Sequence, residues 1–161
     1  MKTPWETFPE TVAGSRRLPL SAARRLRILV ADDDVYTREL NAGVLIRSGY
    51  EVDTVADGAA AWRALDGERY DLLITDQRMP RVTGLELVQK LRSEDMTLPV
   101  ILTSELEPVD DLKRFPGLII DAVVKKPCTL EDLLQAVRRV LSVIGGTRDG
   151  DAPSSTTQSQ T

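Results

Sequence analysis

Short, almost uninterrupted runs of apolar residues recur along the middle of the chain and predict buried β-strands. Four segments have this pattern: Arg27–Ala31, Tyr70–Asp76, Pro99–Thr103 and Ala122–Lys125. Such runs are typical of strands covered on both faces, and therefore of a parallel sheet. Polar and apolar residues alternate instead in Tyr50–Val55, which predicts a strand at the edge of the same sheet.

The segments between these strands carry the spacing of amphipathic helices. Apolar or small residues recur three and four positions apart at Gly84, Leu87, Val88 and Leu91, which places them on one helix face. The longest such stripe begins at Leu130, after a capping box at Thr129–Asp132, and is followed by Gly145–Gly146, a pair that ends helices. Five strands alternating with five helices predict a doubly wound α/β fold with helices on both faces of the sheet.

The two ends of the chain lack this pattern. Residues 1–24 mix prolines with pairs of arginines, and residues 146–161 are rich in small polar residues. We interpret them as a flexible N-terminal arm and a disordered polar tail, with one folded domain over residues 25–145. Trp5 and Phe8 in the arm fit either a partner-docking motif or aromatic residues without a function.

Composition then excludes several classes of function. The net charge is −4, and acidic and basic residues are interspersed, unlike the basic surface of a nucleic-acid-binding protein. The chain has no histidine, which excludes a Ser-His-Asp triad and a metal held by histidine. Cys128 is the single cysteine, so no intramolecular disulfide can form, and no apolar run approaches the length of a membrane span. We expect a cytoplasmic protein.

Polar residues follow the predicted strands at the edge where ligands bind in such folds. Asp32–Asp34 follow the first strand, Asp76 ends the third, Thr103 ends the fourth, and Lys126 follows the fifth. Crowded carboxylates repel each other unless they share a cation, and oxygen ligands alone favour Mg²⁺. A carboxylate can also attack phosphorus to form an aspartyl phosphate. Lys126 and Thr103 would then contact the charged phosphoryl oxygens.

Each of these residues also has an ordinary structural interpretation. Acids such as Asp32–Asp34 are favoured at the start of any helix by the helix dipole. Asp76 has the residue type of a turn former, and Thr103 that of a common strand residue. Their combination at four neighbouring strand ends, together with Lys126, favours the chemical interpretation.

The same segments resemble response-regulator receiver domains. The resemblance rests on Ile28–Asp34, on Asp76–Pro80 followed by Gly84, on Thr103, and on Lys126–Pro127, and it extends from Leu26 to Ile144. It implies a flavodoxin-like, five-stranded parallel sheet with the strand order 2-1-3-4-5. It also implies two-component signalling, with phosphorylation on an aspartate.

The resemblance assigns a metal site to the acidic cluster. By this likeness, Asp33 binds Mg²⁺ directly, together with Asp76 and the backbone carbonyl of Arg78, while Asp32 acts through water. The resemblance likewise makes Asp76 the phospho-acceptor.

The remaining site residues follow from the same likeness. Lys126 contacts the phosphoryl oxygens, and Thr103 donates a hydrogen bond to them. The Lys126–Pro127 peptide bond is expected to be cis, which places the lysine side chain.

The sequence departs from the family pattern at the expected signalling face. Val123 occupies the position, three residues before the lysine, where receivers commonly carry Tyr or Phe, so the usual coupling of threonine to an aromatic ring cannot operate. The segment Glu105–Asp121 has prolines around a short predicted fourth helix. Arg78 and Glu105, two residues after Asp76 and Thr103, flank the path of attacking water in receivers, and their opposite charges favour an ion pair that slows hydrolysis.

Three functions remain open at this point. The first is a stand-alone receiver that takes its phosphoryl group from a histidine kinase or a histidine phosphotransfer protein and acts on a downstream protein as a monomer or weak dimer. It would not be an enzyme on outside substrates, and the tail is too short for a DNA-binding output domain. The second is a pseudo-receiver that only binds partners. The third is an aspartate-based phosphatase, which Arg78 disfavours because such enzymes commonly carry a second Asp there.

Overall fold

The computed structural model of the chain describes residues 24–105 and 112–146. Strands and helices alternate through most of these residues, as the apolar pattern predicts. In chain order the elements are β1 (Arg27–Ala31), α1 (Val35–Arg47), β2 (Glu51–Val55), α2 (Gly58–Gly67), β3 (Leu72–Asp76), α3 (Gly84–Ser93), β4 (Val100–Ser104), β5 (Ala122–Lys125) and α4 (Leu130–Gly146).

All five strands pair in parallel, in the order β2-β1-β3-β4-β5. This order confirms the predicted topology, and β2 lies at an edge, as its alternating sequence indicated. The register places Asp76 of β3 beside Thr103 of β4, and Ser104 of β4 beside Lys125 of β5. The ends of these strands therefore deliver their polar residues to one edge of the sheet.

The core consists of two apolar layers, one on each face of the sheet. Successive strand residues point to opposite faces, so Ile28 packs with α1 and α4 while Leu29 packs with α2 and α3. Both residues are fully buried. Burial on both faces explains why β1, β3 and β4 are almost continuously apolar rather than alternating.

The helices begin at polar caps. Asp34, Asp57 and Thr83 accept backbone N–H groups at the starts of α1, α2 and α3, respectively. At the start of α4, Thr129 and Asp132 exchange hydrogen bonds between side chain and backbone, so the predicted capping box is present. Each cap provides a partner for a backbone N–H that has none within its helix.

The expectation of five helices is wrong for the described residues, which contain four. The missing helix was expected within Glu105–Asp121, and residues 106–111 of that segment lie outside the described residues. In the described part, Leu112 is helical and residues 113–117 form turns and a bend. Pro116 has no N–H to donate, and Gly117 has a φ of 80°, so this pair ends the segment in which the helix was expected.

The predicted arm and tail lie outside the described residues, except for Arg24 and Gly146 at their inner ends. The same holds for Trp5 and Phe8. Within the described residues, no helix has the length and apolar character needed to cross a membrane.

Gly84, the first residue of α3, allows this helix to begin against the end of β3. A Cβ atom at this position would lie 2.5 Å from the backbone oxygen of Asp76 and 2.8 Å from Leu102 Cδ1. Both distances are far shorter than van der Waals contact. A side chain here would therefore push α3 away from the residue that carries the candidate chemistry.

We expect Gly84→Ala to lower the free energy of unfolding by about 1–3 kcal/mol, because the overlap forces backbone to move. Gly67→Ala is the matched control, since a Cβ at this helical glycine meets nothing within 4 Å. The control should leave stability unchanged or raise it by up to about 1 kcal/mol. Urea denaturation measures both, and equal stabilities of the two variants would contradict the steric argument.

Candidate functional site

The carboxyl ends of β1, β3, β4 and β5 open onto a cleft of about 450 Å³. It contains every side chain predicted for the site except Thr103, which is buried beside Asp76, and Pro127, which follows Lys126. The lining residues are Asp32, Asp33, Asp34, Thr37, Asp76, Gln77, Arg78, Ser104, Glu105 and Lys126.

The ammonium group of Lys126 lies between two carboxylates. Its Nζ atom is 2.7 Å from Asp76 Oδ1 and 3.1 Å from Asp32 Oδ2. Asp32 is 2% exposed and Asp76 is 7% exposed, so both charges depend on this contact for compensation. The Lys126–Pro127 peptide bond is cis, and the Lys126 N–H donates to the Ser104 carbonyl at 2.7 Å.

These three groups influence each other's ionisation. Burial raises the pKa of Asp32, and the positive charge of Lys126 opposes that rise. Partial burial acts against the charge on Lys126, but hydrogen bonds and attraction from Asp76 and Asp32 together raise its pKa. Lys126 therefore stays protonated at neutral pH and serves as the counter-ion of the acidic cleft.

Asp76 is held on both of its carboxylate oxygens. Besides the contact of Oδ1 with Lys126, Oδ1 lies 3.4 Å from Thr103 Oγ1, and Oδ2 accepts the Arg78 N–H at 2.8 Å. The neighbouring Gln77 N–H donates to the Thr103 carbonyl at 2.9 Å. Parallel pairing of β3 with β4 thus places the hydroxyl of Thr103 directly beside the candidate acceptor.

The three consecutive acids at the end of β1 differ in their surroundings. Asp32 is buried, whereas Asp33 and Asp34 are exposed. Asp34 caps α1 by accepting the Thr37 N–H at 2.7 Å, and this hydrogen bond lowers the pKa of Asp34. Asp33 therefore remains as the exposed cleft acid that has no capping role.

The donor set of the cleft fits Mg²⁺ chemically. Asp32, Asp33 and Asp76 contribute carboxylate oxygens to the cleft, and hard oxygen ligands are those that Mg²⁺ prefers. Among residues 24–105 and 112–146, no three acidic, histidine or cysteine side chains converge closely enough to hold a metal as they stand. The ammonium of Lys126 lies between two of the three acids.

An ion pair between Arg78 and Glu105 lines the cleft. Arg78 follows β3 and Glu105 follows β4, and their side chains are 63% and 60% exposed. The pair joins the chain segments that leave the two central strands of the site.

Val123 faces away from the cleft. It is 41% exposed, whereas its neighbour Val124 is 7% exposed, as strand alternation requires. Val123 lies in a separate surface cleft with residues that include Cys128 and Asp132. The strand therefore presents a small aliphatic side chain on its outer face.

The sequence alone did not predict the contacts of two supporting residues. Arg38 Nη1 donates to the Asp32 carbonyl at 2.7 Å, and Gln77 Oε1 accepts the Leu85 N–H at 3.1 Å. Arg38 left a signal in the sequence, because a cation near the start of a helix is disfavoured by the helix dipole unless it has a local partner. Gln77 left none, since its partner is eight residues away across a loop.

The geometry of the cleft agrees with the comparison to known families. The family model described as the response regulator receiver domain matches residues 28–138. The chain belongs to the receiver family. It is therefore a receiver domain of a two-component response regulator, a class whose members typically bind Mg²⁺ and work with histidine kinases.

Relatives and solved structures agree with this assignment. The transcriptional regulatory protein TctD of Salmonella typhimurium is 36% identical over 116 residues, which are 72% of this chain and 52% of TctD. The response regulator MprA of Mycobacterium avium is 37% identical over 118 residues, or 72% and 51% of the two chains. The chain thus spans about half the length of these relatives. The chemotaxis response regulator CheY4 of Vibrio cholerae superposes with a TM-score of 0.67 at 28% identity, covering 73% of this receiver and 99% of CheY4.

We expect Lys126→Met to destabilise the receiver by an amount that grows with pH. Without the ammonium, the pKa of buried Asp32 rises further above its unfolded value. Below the pKa of Asp32 in the unfolded chain, the buried acid is neutral and costs little. As pH rises through its pKa in the folded chain, the free energy of unfolding falls. The loss should be small at about pH 4 and reach about 1–3 kcal/mol at about pH 8.

Urea denaturation of variant and wild type across this pH range measures the difference. Lys125→Met is the matched control, because Lys125 is exposed and precedes Lys126 directly. A pH-independent loss in Lys126→Met would show that the ammonium does not compensate the charge of Asp32.

Proposed function

We propose that this receiver accepts a phosphoryl group on Asp76 from a histidine kinase or a histidine phosphotransfer protein. The supporting observation is the double hold on the Asp76 carboxylate by Lys126 and by the Arg78 N–H, at the floor of an acidic cleft. A carboxylate that is fixed and reachable from solvent can attack phosphorus with little loss of orientation.

In the transfer, an Asp76 oxygen forms a bond to phosphorus while the bond between phosphorus and the donor nitrogen breaks. The charge on the phosphoryl oxygens needs cationic and hydrogen-bonding partners. Lys126 Nζ and Thr103 Oγ1 already contact the Asp76 carboxylate, so both lie within reach of a group attached to it. Phosphorylation removes one carboxylate charge from Lys126 and replaces it with the phosphoryl charge.

Asp33, Asp76 and the carbonyl of Arg78 would hold Mg²⁺ in this proposal, with Asp32 acting through water. When bound, Mg²⁺ supplies positive charge that offsets repulsion between these acids and the incoming phosphoryl group. The residues of the chain itself orient the acceptor through Arg78 and neutralise it through Lys126.

The output of the receiver is proposed to be altered binding of a downstream protein, with the chain acting as a monomer or weak dimer. The net charge of −4 disfavours direct binding to nucleic acid, which depends on cationic contacts to phosphates. Val123 in place of an aromatic residue means that the change of surface does not use a swinging ring on β5. A pseudo-receiver that only binds partners is the alternative.

We expect Asp76→Asn to abolish acid-labile labelling of the chain by acetyl phosphate, because the amide cannot act as the nucleophile. Wild type should label when Mg²⁺ is present and lose labelling when EDTA removes it. Labelling is measured by mass spectrometry of the intact chain or by mobility in a phosphate-binding gel.

Asp34→Asn is the matched control, since it removes an acid from the same cleft while asparagine still caps α1. It should label at close to the wild-type rate. Equal labelling of Asp76→Asn and wild type would refute the assignment of the acceptor, and a wild type that never labels would favour the pseudo-receiver.

The Arg78–Glu105 pair is proposed to slow hydrolysis of the phosphorylated form. Water must approach phosphorus in line with the bond to Asp76, and both side chains of the pair line the cleft above that residue. The pair is exposed and contributes only about 0.2–1 kcal/mol to stability. A weak interaction at the path of the attacking water can nevertheless change the rate of hydrolysis.

We expect Arg78→Ala and Glu105→Ala each to shorten the half-life of phosphorylated Asp76 by about two- to fivefold, the rate equivalent of losing one exposed pair. Loss of phosphate after removal of the donor measures this half-life. Arg138→Ala is the control, because it removes the exposed contact with Glu131 on α4, away from the cleft. Unchanged half-lives in both cleft variants would show that the two charges are simply on the surface.

A further inference from the structure

The first turn of α2 contacts the loop that follows the candidate acceptor. This acceptor loop, residues 77–83, connects β3 to α3. Asp57, the N-cap of α2, accepts the Ala60 N–H on Oδ1 at 2.8 Å and the guanidinium of Arg81 on Oδ2. Asp57 is 6% exposed, so one buried carboxylate serves both the helix cap and the loop.

The backbone of Arg81 is in a conformation that its side chain does not favour. Its φ is 70°, in the left-handed region that glycine adopts without steric cost and other residues rarely adopt. The arginine side chain nevertheless crosses to Asp57 and pairs with it. A glycine would suit the backbone here but would make no such contact, so the ion pair gives a physical role to the residue.

A second contact brings the same two segments together. A Cβ atom added to Gly58, the first residue of α2, would lie 2.6 Å from the Val82 carbonyl and 2.9 Å from Val82 Cβ. The start of α2 is therefore seated directly against the loop. The pairing of Arg81 with Asp57 and the packing of Val82 on Gly58 act on adjacent loop residues.

The other parts of the acceptor loop are bonded to the site itself. The Arg78 N–H donates to Asp76 Oδ2 at 2.8 Å, and the Gly84 N–H donates to the Gln77 carbonyl at 3.1 Å. The loop is thus held at the acceptor carboxylate on one side and at the start of α2 on the other. Rotation of the loop away from α2 would move the Arg78 N–H that orients Asp76.

We propose that the Asp57–Arg81 pair positions the acceptor loop so that the Arg78 N–H holds Asp76 in its reactive orientation. Asp57 and Arg81 are positioning residues, because neither touches the acceptor carboxylate. The inference rests on the proposed function of Asp76 for its effect on phosphorylation, whereas the anchoring of the loop can be tested separately.

The variants are chosen to remove the ion pair without other damage. Asp57→Asn retains a side-chain oxygen that caps α2, and Arg81→Gly suits the positive φ. Asp95→Gly is the matched control, since Asp95 also has a positive φ, 56°, and is exposed in the loop after α3. Its replacement relaxes a similar backbone without touching the acceptor loop.

The first readout is amide hydrogen exchange in the absence of any phospho-donor. The Arg78 and Gly84 amides should exchange faster in Asp57→Asn and in Arg81→Gly than in wild type, and at the wild-type rate in Asp95→Gly. Amides in the middle of α2 should keep their protection in Asp57→Asn, because the cap is retained. The proposal would be overturned if the Arg78 and Gly84 amides kept wild-type protection in both Asp57→Asn and Arg81→Gly.

The second readout is the initial rate of labelling by acetyl phosphate with Mg²⁺ present. Each single variant should label about two- to fivefold more slowly than wild type, the range that follows from losing one partly exposed ion pair. The double variant should be no slower than either single variant, because both remove the same interaction. Wild-type labelling rates in the single variants, or additive losses in the double variant, would overturn the proposal.

The two readouts distinguish the failure of this inference from failure of the proposed function. If the wild type does not label at all, the assignment of Asp76 as acceptor fails, and the exchange data still decide whether the pair anchors the loop. If wild type labels, and Asp57→Asn and Arg81→Gly match it in both amide exchange and labelling rate, the positioning role alone is refuted.

Discussion

The site depends on one ammonium group shared by two buried carboxylates. Asp32 and Asp76 belong to neighbouring strands, and without a cation their charges would disfavour the approach of β1 to β3 at this edge. Lys126, which follows the outermost strand on the other side, reaches across β4 to contact both. The contact therefore joins strand ends that are not adjacent in the sheet, and the arrangement of the cleft follows from it.

Parallel pairing makes this sharing possible. Because all five strands are parallel, their carboxyl ends lie at one edge of the sheet. The helices that pack on the two apolar layers return the chain to the other edge. Asp76 and Thr103 are partners in the register of β3 and β4, so the hydroxyl of Thr103 lies beside the Asp76 carboxylate. The absence of a side chain at Gly84 lets α3 begin against Asp76, so the candidate acceptor is enclosed by backbone as well as by charged groups.

Much of this could be predicted because strand ends in a parallel sheet are ordered by topology. The apolar runs predicted the positions of β1, β3, β4 and β5. The polar residues at the ends of these strands were therefore expected in the cleft. The Asp57–Arg81 pair could not be predicted in this way, since it joins two loops and depends on the positive φ of Arg81. The short helix expected before β5 is not among the elements of the described residues, and residues 106–111 of its segment lie outside them. Local propensity gives little guidance where a contact between two loops depends on an unusual backbone conformation.

The register of β3 with β4 has a consequence for how such a domain can diversify. Arg78 and Glu105 each stand two positions beyond the paired residues Asp76 and Thr103, so parallel geometry brings them abreast whatever their side chains are. Both side chains are largely exposed and contribute little to the core. In the proposed function, the lifetime of the phosphorylated form therefore depends on two exposed side chains that can be replaced without disturbing the core.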